Sequence, residues 1–219
     1  MTKDCDIQKA VGGIASTWAF HSGQICTAPT RVICHRSIYD QTVSALAGVA
    51  RALKVGDALA RDTVVGPLIT DVQRGRVEAL LRQGLGAGGT LVCGGDRPDR
   101  DGYFLNPTLV ADVARDNPAV REEFFGPVVV IAPFDDEAEA IDVANESDYG
   151  LFSYVFSGDL SRGLEIAKRL ESGSVAVNGV APHMHAAFGG FKMSGVGRDR
   201  GIYGLHAYSE LQAVNWGAT

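Results

Sequence analysis

Val128-Val129-Val130-Ile131-Ala132 is an unbroken apolar run, and it limits the possible folds more than any other stretch of the chain. A strand with one wet face alternates apolar and polar residues. A continuous β-branched run needs cover on both faces, as a buried strand of a parallel sheet has. The neighbouring segments can supply that cover. Ile7, Ala10, Val11, Ile14, Ala15 and Trp18 recur at helical spacing, with Asp4 or Asp6 placed to cap the start. Tyr39, Val43, Leu46, Ala50 and Leu53 form a second helical stripe. Thr70-Asp71-Val72-Gln73 has capping-box form and opens a helix toward Leu81, ended by Gly84, Gly86, Gly88 and Gly89. Asp135 to Asn145, acidic in its first turn, and Leu160 to Leu170 read as two more helices.

Strands are expected at Arg31 to His35, Thr90 to Cys93, Ser153 to Phe156 and Ser174 to Val177, with Tyr103 to Val110 extended. Strands alternating with helices specify an α/β domain: a largely parallel open sheet flanked by helices, its strand order left open. The alternation from Tyr208 to Trp216 reads as a terminal strand, which alone would be an exposed edge. No repeat, low-complexity segment or linker divides the chain.

The 219 residues suffice for one domain with a sizeable core. A net charge of −6, spread without blocks, argues against nucleic acid or an anionic membrane surface as partner. No apolar run approaches a membrane span, and Asp4 and Asp6 precede any apolar stretch, unlike a signal peptide. Four cysteines without paired spacing fit a reducing compartment, with the cytoplasm as the expected location.

The segment from Phe20 to Thr30 joins a helical pattern to a β-branched one. Such corners expose side chains on a rigid scaffold. Gly23 permits a close backbone approach, and Pro29 stops the helix. Cys26 then sits on a short turn with its own N–H free. A thiolate beside such a donor can add to a carbonyl and hold the resulting oxyanion. By spacing alone, Cys26 reads first as a small buried hydrophobe, as Cys5, Cys34 and Cys93 are expected to be. Arg121-Glu122-Glu123-Phe124-Phe125-Gly126-Pro127 reads, residue by residue, as an acidic loop over two packed aromatics. The Gly-rich stretch from Ala187 to Arg198 lacks phosphate-loop spacing and fits a structural turn. His183 and His185 have no carboxylate or thiol at ligand spacing, so no metal is expected. His21 is too near Cys26 in sequence to mark a Cys–His pair.

Taken in order, these three segments resemble the NAD(P)-dependent aldehyde dehydrogenases. Phe20, Gly23-Gln24, Cys26-Thr27-Ala28 and the apolar strand after them are similar to the family's cysteine signature. Glu122-Glu123-x-Phe125-Gly126-Pro127-Val128 is similar to its second signature. Asn178 followed by Phe188-Gly189-Gly190-x-Lys192-x-Ser194-Gly195-x-Gly197-Arg198 is similar to its C-terminal segment. The resemblance implies Cys26 as nucleophile, with Glu123 on the nicotinamide-side ribose hydroxyls and Phe125 against the nicotinamide of NAD or NADP. It also implies Ile25, Thr27, Asn178 and Phe188 as substrate-pocket residues, with Gly179 to Ala187 at the aldehyde entrance.

The resemblance covers the C-terminal, catalytic half of a family member: residues 1–207 as catalytic domain and 208–219 as an oligomerisation strand. The dinucleotide-binding domain, an oxyanion-hole Asn and the water-activating Glu of a Glu-Leu-Gly-Gly segment would precede Met1. The implied chemistry oxidises an aldehyde to an acid through a thiohemiacetal and a thioester. Weak or absent NAD(P) binding and no turnover are expected of the chain alone. Its implied partners are a second copy or an N-terminal cofactor-domain polypeptide. Two other readings stay open: a non-catalytic family fragment that joins an oligomer, and a cofactor-independent cysteine hydrolase.

Overall fold

In a computed structural model of the chain, residues 1–180 and 183–217 are described. The elements run α1 (Ile7–Ala19), β1 (Arg31–His35), α2 (Arg36–Ala52), α3 (Asp71–Gly86), β2 (Thr90–Cys93), β3 (Thr108–Ala111), α4 (Pro118–Arg121) and β4 (Val128–Phe134). They continue with α5 (Glu137–Asn145), β5 (Tyr149–Gly150), β6 (Phe152–Val155), α6 (Leu160–Arg169), β7 (Ser174–Val177), β8 (Phe191–Lys192) and α7 (Gly201–His206).

The apolar run lies at the centre, as its composition requires. β4 has β1 on one side and β3 on the other, both parallel to it, and β2 closes the far edge in the order β1-β4-β3-β2. Val129 and Ile131 pack with Val11, Ile14 and Trp18 of α1 and Leu46 of α2. Val128 and Val130 face the other way, onto Val77, Leu80 and Leu81 of α3 and onto Phe124. Successive residues of a strand point to opposite faces, so a strand covered on both must be apolar throughout. Trp18 is fully buried, and its indole N–H donates to the Thr108 carbonyl at 3.3 Å, tying α1 to β3.

The helix starts follow their caps. Asp6 accepts from the Lys9 N–H at 3.0 Å, Thr70 from Gln73 at 3.1 Å, and Asp159 from Ser161 at 2.8 Å. α3 runs past Leu81 to Gly86 because Gly84 fits against α4: a methyl there would lie 2.6 Å from the Ala119 Cβ. α4, with Pro118 in its first turn and Asn117 as cap, is too short for periodicity to reveal, as is α7.

The parallel expectation needs two corrections. β2 and β3 are antiparallel, because the segment joining them contains no crossover helix to reverse direction. β5 and β8 form a separate antiparallel pair, and β6 and β7 a separate parallel one. The expected terminal strand also differs: Tyr208 to Trp216 pairs with no strand among the described residues. Leu211 and Trp216 are 100% and 86% exposed. Alternation marks a segment able to pair, but a strand needs a partner's backbone. No described helix is long and apolar enough to cross a membrane.

Replacing Trp18 with alanine is expected to lower unfolding stability by about 3–5 kcal/mol, the usual loss for a buried tryptophan. Urea denaturation measures this, and blue-shifted Trp18 emission should distinguish it from the exposed Trp216.

Candidate active site

Three consecutive residues with positive φ end the turn after α1: His21 at 50°, Ser22 at 54° and Gly23 at 76°. The left-handed region costs a non-glycine residue roughly 1–2 kcal/mol, so the surroundings must hold the turn. Ser22 Oγ donates to the Gly66 carbonyl at 2.9 Å. Gln24 is clamped at both ends of its amide: Nε2 donates to the His21 carbonyl at 3.0 Å, and Oε1 accepts from the Ile69 N–H at 2.8 Å. Beyond this anchor the chain turns once more, with the Ala28 N–H donating to the Ile25 carbonyl at 3.1 Å. Cys26 sits on that turn and is exposed. Its N–H has no partner among the described residues.

Tyr154 of β6 holds the other side of the turn, its hydroxyl donating to the Thr27 carbonyl at 2.6 Å. Burial pushes the Tyr154 phenol up to about 12. The other three thiols are less accessible than Cys26: Cys5 and Cys34 are buried and Cys93 is half-buried. Desolvation raises the pKa of Cys5, Cys34 and Cys93.

The acidic loop approaches the cysteine loop backbone to backbone. A methyl on Gly23 would lie 2.0 Å from the Gly126 carbonyl oxygen, and one on Gly126 would lie 2.8 Å from Val77 Cγ2 of α3. Two glycines are therefore stacked between α3 and the cysteine turn. Phe125 is held at φ 50°, and Gln73 Nε2 donates to the Phe124 and Phe125 carbonyls at 3.1 and 2.9 Å. In a capping box the Gln73 side chain would return to the helix start. Here only the Thr70 half of the box forms, because the Gln73 amide is used across the site. Phe124 is buried beneath the loop, while Glu123 and Phe125 are half-buried.

One cleft of about 470 Å³ brings Cys26, Ile25, Glu123 and Phe125 together. Thr27, Asn178 and Phe188 are not among its lining residues. Thr27 accepts from Tyr154. Asn178, at φ 54°, exchanges a pair of hydrogen bonds with the backbone of Ser157, at 2.9 and 2.8 Å. Phe188 packs under the Arg200 guanidinium, 4.5 Å from its ring centroid. Within the expected aldehyde entrance, Ala181 and Pro182 lie outside the described residues. The His183 and His185 rings are 5.8 Å apart, and the described residues contain no group of three metal-ligating side chains. Sequence reading missed three supports: Tyr154, Gln73 and the Gly23–Gly126 contact. Gln73 carried a signal that pointed to the helix cap, and Gly23 carried one for a close backbone approach without naming Gly126 as the partner.

A model of the aldehyde dehydrogenase family matches residues 1–214. The chain is 42% identical over 214 residues to a 3-succinoylsemialdehyde-pyridine dehydrogenase of a Pseudomonas species, covering 96% of this chain and 45% of that protein. It is 39% identical to the geranial dehydrogenase of Castellaniella defragrans, covering 97% and 44%. It superposes on the NAD+ complex of an aldehyde dehydrogenase from Bacillus cereus with a TM-score of 0.92 at 39% identity, covering 96% and 43%. The NAD+-bound Mycobacterium tuberculosis aldehyde dehydrogenase gives 0.92 at 37% identity, covering 95% and 44%. The chain thus spans under half the length of these relatives.

Gly23→Ala is expected to lower unfolding stability by at least about 1–2 kcal/mol, since the alanine needs positive φ and meets the Gly126 carbonyl. Iodoacetamide should label Cys26 before the other thiols, as peptide mass spectrometry would show. Burial also pushes the Tyr39 phenol up to about 12. A phenol whose folded pKa lies above the unfolded 10 stabilises the fold fully below pH 10. That contribution is lost as pH rises from 10 toward 12. The melting temperature should fall across that window, and less steeply in a Tyr39→Phe/Tyr154→Phe variant. On the family match, the relatives and the shared fold, the chain belongs to the aldehyde dehydrogenase family.

Proposed function

We propose that this chain is the catalytic half of an NAD(P)-dependent aldehyde dehydrogenase, oxidising aldehydes to carboxylic acids together with a cofactor-binding half. The observation that carries this reading is a single cleft lined by Cys26, Glu123 and Phe125 on two mutually locked loops. Family membership supplies the reaction class.

In this reading the Cys26 thiolate adds to the aldehyde carbon. A carbon–sulfur bond forms, and the carbonyl electron pair moves onto oxygen. The unpartnered Cys26 N–H donates to that oxyanion. Glu123 and Phe125 suit the nicotinamide end of a dinucleotide: a carboxylate accepts from ribose hydroxyls, and an aromatic face lies against a planar ring. When bound, the dinucleotide supplies the hydride acceptor. Thr27 and Ile25 shape the thiol's immediate surroundings, and Asn178 and Phe188 belong to the wider aldehyde pocket. Asn178 is engaged by Ser157, so in this reading it organises the strand end after β7. The cytoplasm is the proposed compartment, in keeping with four free thiols.

A second reading is favoured by the C-terminal segment, where Leu211, Val214 and Trp216 are exposed. There the chain is a non-catalytic partner that pairs with other subunits of the family.

Mixing the chain with a separately expressed cofactor half decides between them. Aldehyde-dependent NADH formation is expected only in the mixture, and Cys26→Ser should reduce it about 10³-fold or more. Association without turnover would support the second reading. Turnover by the purified chain alone would overturn the division of labour.

A further inference from the structure

An arginine drawn into a fold finds acceptors, because an unpaired guanidinium is costly to desolvate. Five arginines of this chain are half-buried: Arg31, Arg74, Arg162, Arg198 and Arg200. Arg31 donates to the Ala144 carbonyl at 2.9 Å, and Arg74 to the Gly102 carbonyl at 2.7 Å. Arg162 donates to the Glu137 carboxylate at 2.7 Å, and Arg198 to the Gly190 carbonyl at 2.8 Å. The Arg200 guanidinium has no hydrogen-bond or ion-pair partner among the described residues, and its Nη1 is buried. The adjacent carboxylate is used otherwise: Asp199 Oδ1 accepts from the Arg200 backbone N–H at 2.7 Å.

The backbone holds Arg200 in place against its own preference. At φ 63° and ψ 162° it occupies a region that glycine alone enters readily. Contacts on both sides fix it there. Before it, Asp199 and Phe188 form an antiparallel bridge, with N–H···O distances of 2.7 and 2.8 Å. After it, Gly201 lies against His185, where a methyl would fall 2.3 Å from the His185 carbonyl oxygen. Arg200 is thereby delivered to the segment from His183 to Phe188, its guanidinium 4.5 Å from the Phe188 ring centroid. A ring beneath the plane stabilises the cation and leaves the in-plane N–H donors unused. The same loop reaches the thiol. Met193 and Ser194 line the cleft with Cys26, and Gly190 lies against Ser194, a methyl there falling 2.4 Å from the Ser194 Cβ.

We infer that Arg200 is a specificity-determining residue of the aldehyde pocket, its guanidinium receiving a carboxylate at the far end of the substrate. The substrate class is then an aldehyde that ends in a carboxylate. A planar guanidinium presents paired N–H donors that match two carboxylate oxygens. The Phe188 face beside it suits the methylenes that separate the two ends of such a molecule. The segment 179–187 contains no lysine or arginine, so the cation is brought to it from the far side of the Gly-rich loop. That the pocket takes aldehydes rests on the reading above. The unpartnered guanidinium does not.

The test uses the full chain and two aldehydes of equal length: 4-oxobutanoate, which ends in a carboxylate, and butanal, which does not. Arginines are labelled with butanedione and read by peptide mass spectrometry. 4-Oxobutanoate should slow labelling of Arg200 severalfold, and butanal should leave it unchanged. Iodoacetamide labelling of Cys26 gives a second measure, because the thiol adds reversibly across the aldehyde carbonyl, its proton passing to oxygen. 4-Oxobutanoate should block that labelling at about a tenfold lower concentration than butanal, the usual worth of a charged hydrogen-bonded pair. Arg200→Gln should erase the difference and leave the butanal concentration where it was, whereas Arg200→Lys should keep part of the difference. Equal slowing of Arg200 labelling by butanal, no slowing by 4-oxobutanoate, or an undiminished preference in Arg200→Gln would overturn the inference. So would loss of Arg200 labelling on adding a cofactor half without aldehyde, which would give the guanidinium a protein partner. If neither aldehyde protects Cys26 while 4-oxobutanoate still protects Arg200, the thiol reading fails and the carboxylate contact stands.

Discussion

The site depends on two backbones meeting without side chains between them. Gly23 lies against the Gly126 carbonyl, and Gly126 in turn lies against Val77 of α3. The cysteine turn and the Glu123–Phe125 loop are thereby referred to the same helix, which also packs on β4 through Leu80 and Leu81. A thiol and a carboxylate more than ninety positions apart in the chain come to share one cleft because each loop is fixed to the same rigid element. Packed interiors transmit displacement rather than absorb it, so a methyl at this contact would be felt by both loops.

Around that contact the chain adopts conformations it would otherwise avoid. His21, Ser22, Phe125 and Asn178 all have φ between 50° and 54°. Each is restrained by named hydrogen bonds or close neighbours: Ser22 to Gly66, Gln73 to Phe125, Asn178 to Ser157. Strain of this kind persists where the surroundings over-determine it. Of the seven described non-glycine residues with positive φ, three lie on the two loops of the cleft and Asn178 ends β7, while Asp112, Lys192 and Arg200 lie elsewhere. Tyr154 contributes from outside the two signature loops, since its hydroxyl holds the Thr27 carbonyl one residue after Cys26.

The fold was legible where composition and burial speak the same language. The Val128–Ala132 run, the α1 and α2 stripes and the Asp and Thr caps each carried their own physical reason, and each element formed near its expected bounds. What stayed hidden was relational. Antiparallel pairing of β2 depends on a connection without a helix, and the isolation of β6-β7 depends on what lies beside it. The Tyr208–Trp216 alternation describes a capacity to pair, and no local pattern supplies a partner. In the site, the three signature segments were recognisable by resemblance, and Cys26, Glu123 and Phe125 do line one cleft. Asn178 and Phe188 lie off that cleft, and the supports Tyr154 and Gln73 were unreadable because their partners are backbone carbonyls, which leave no mark on sequence.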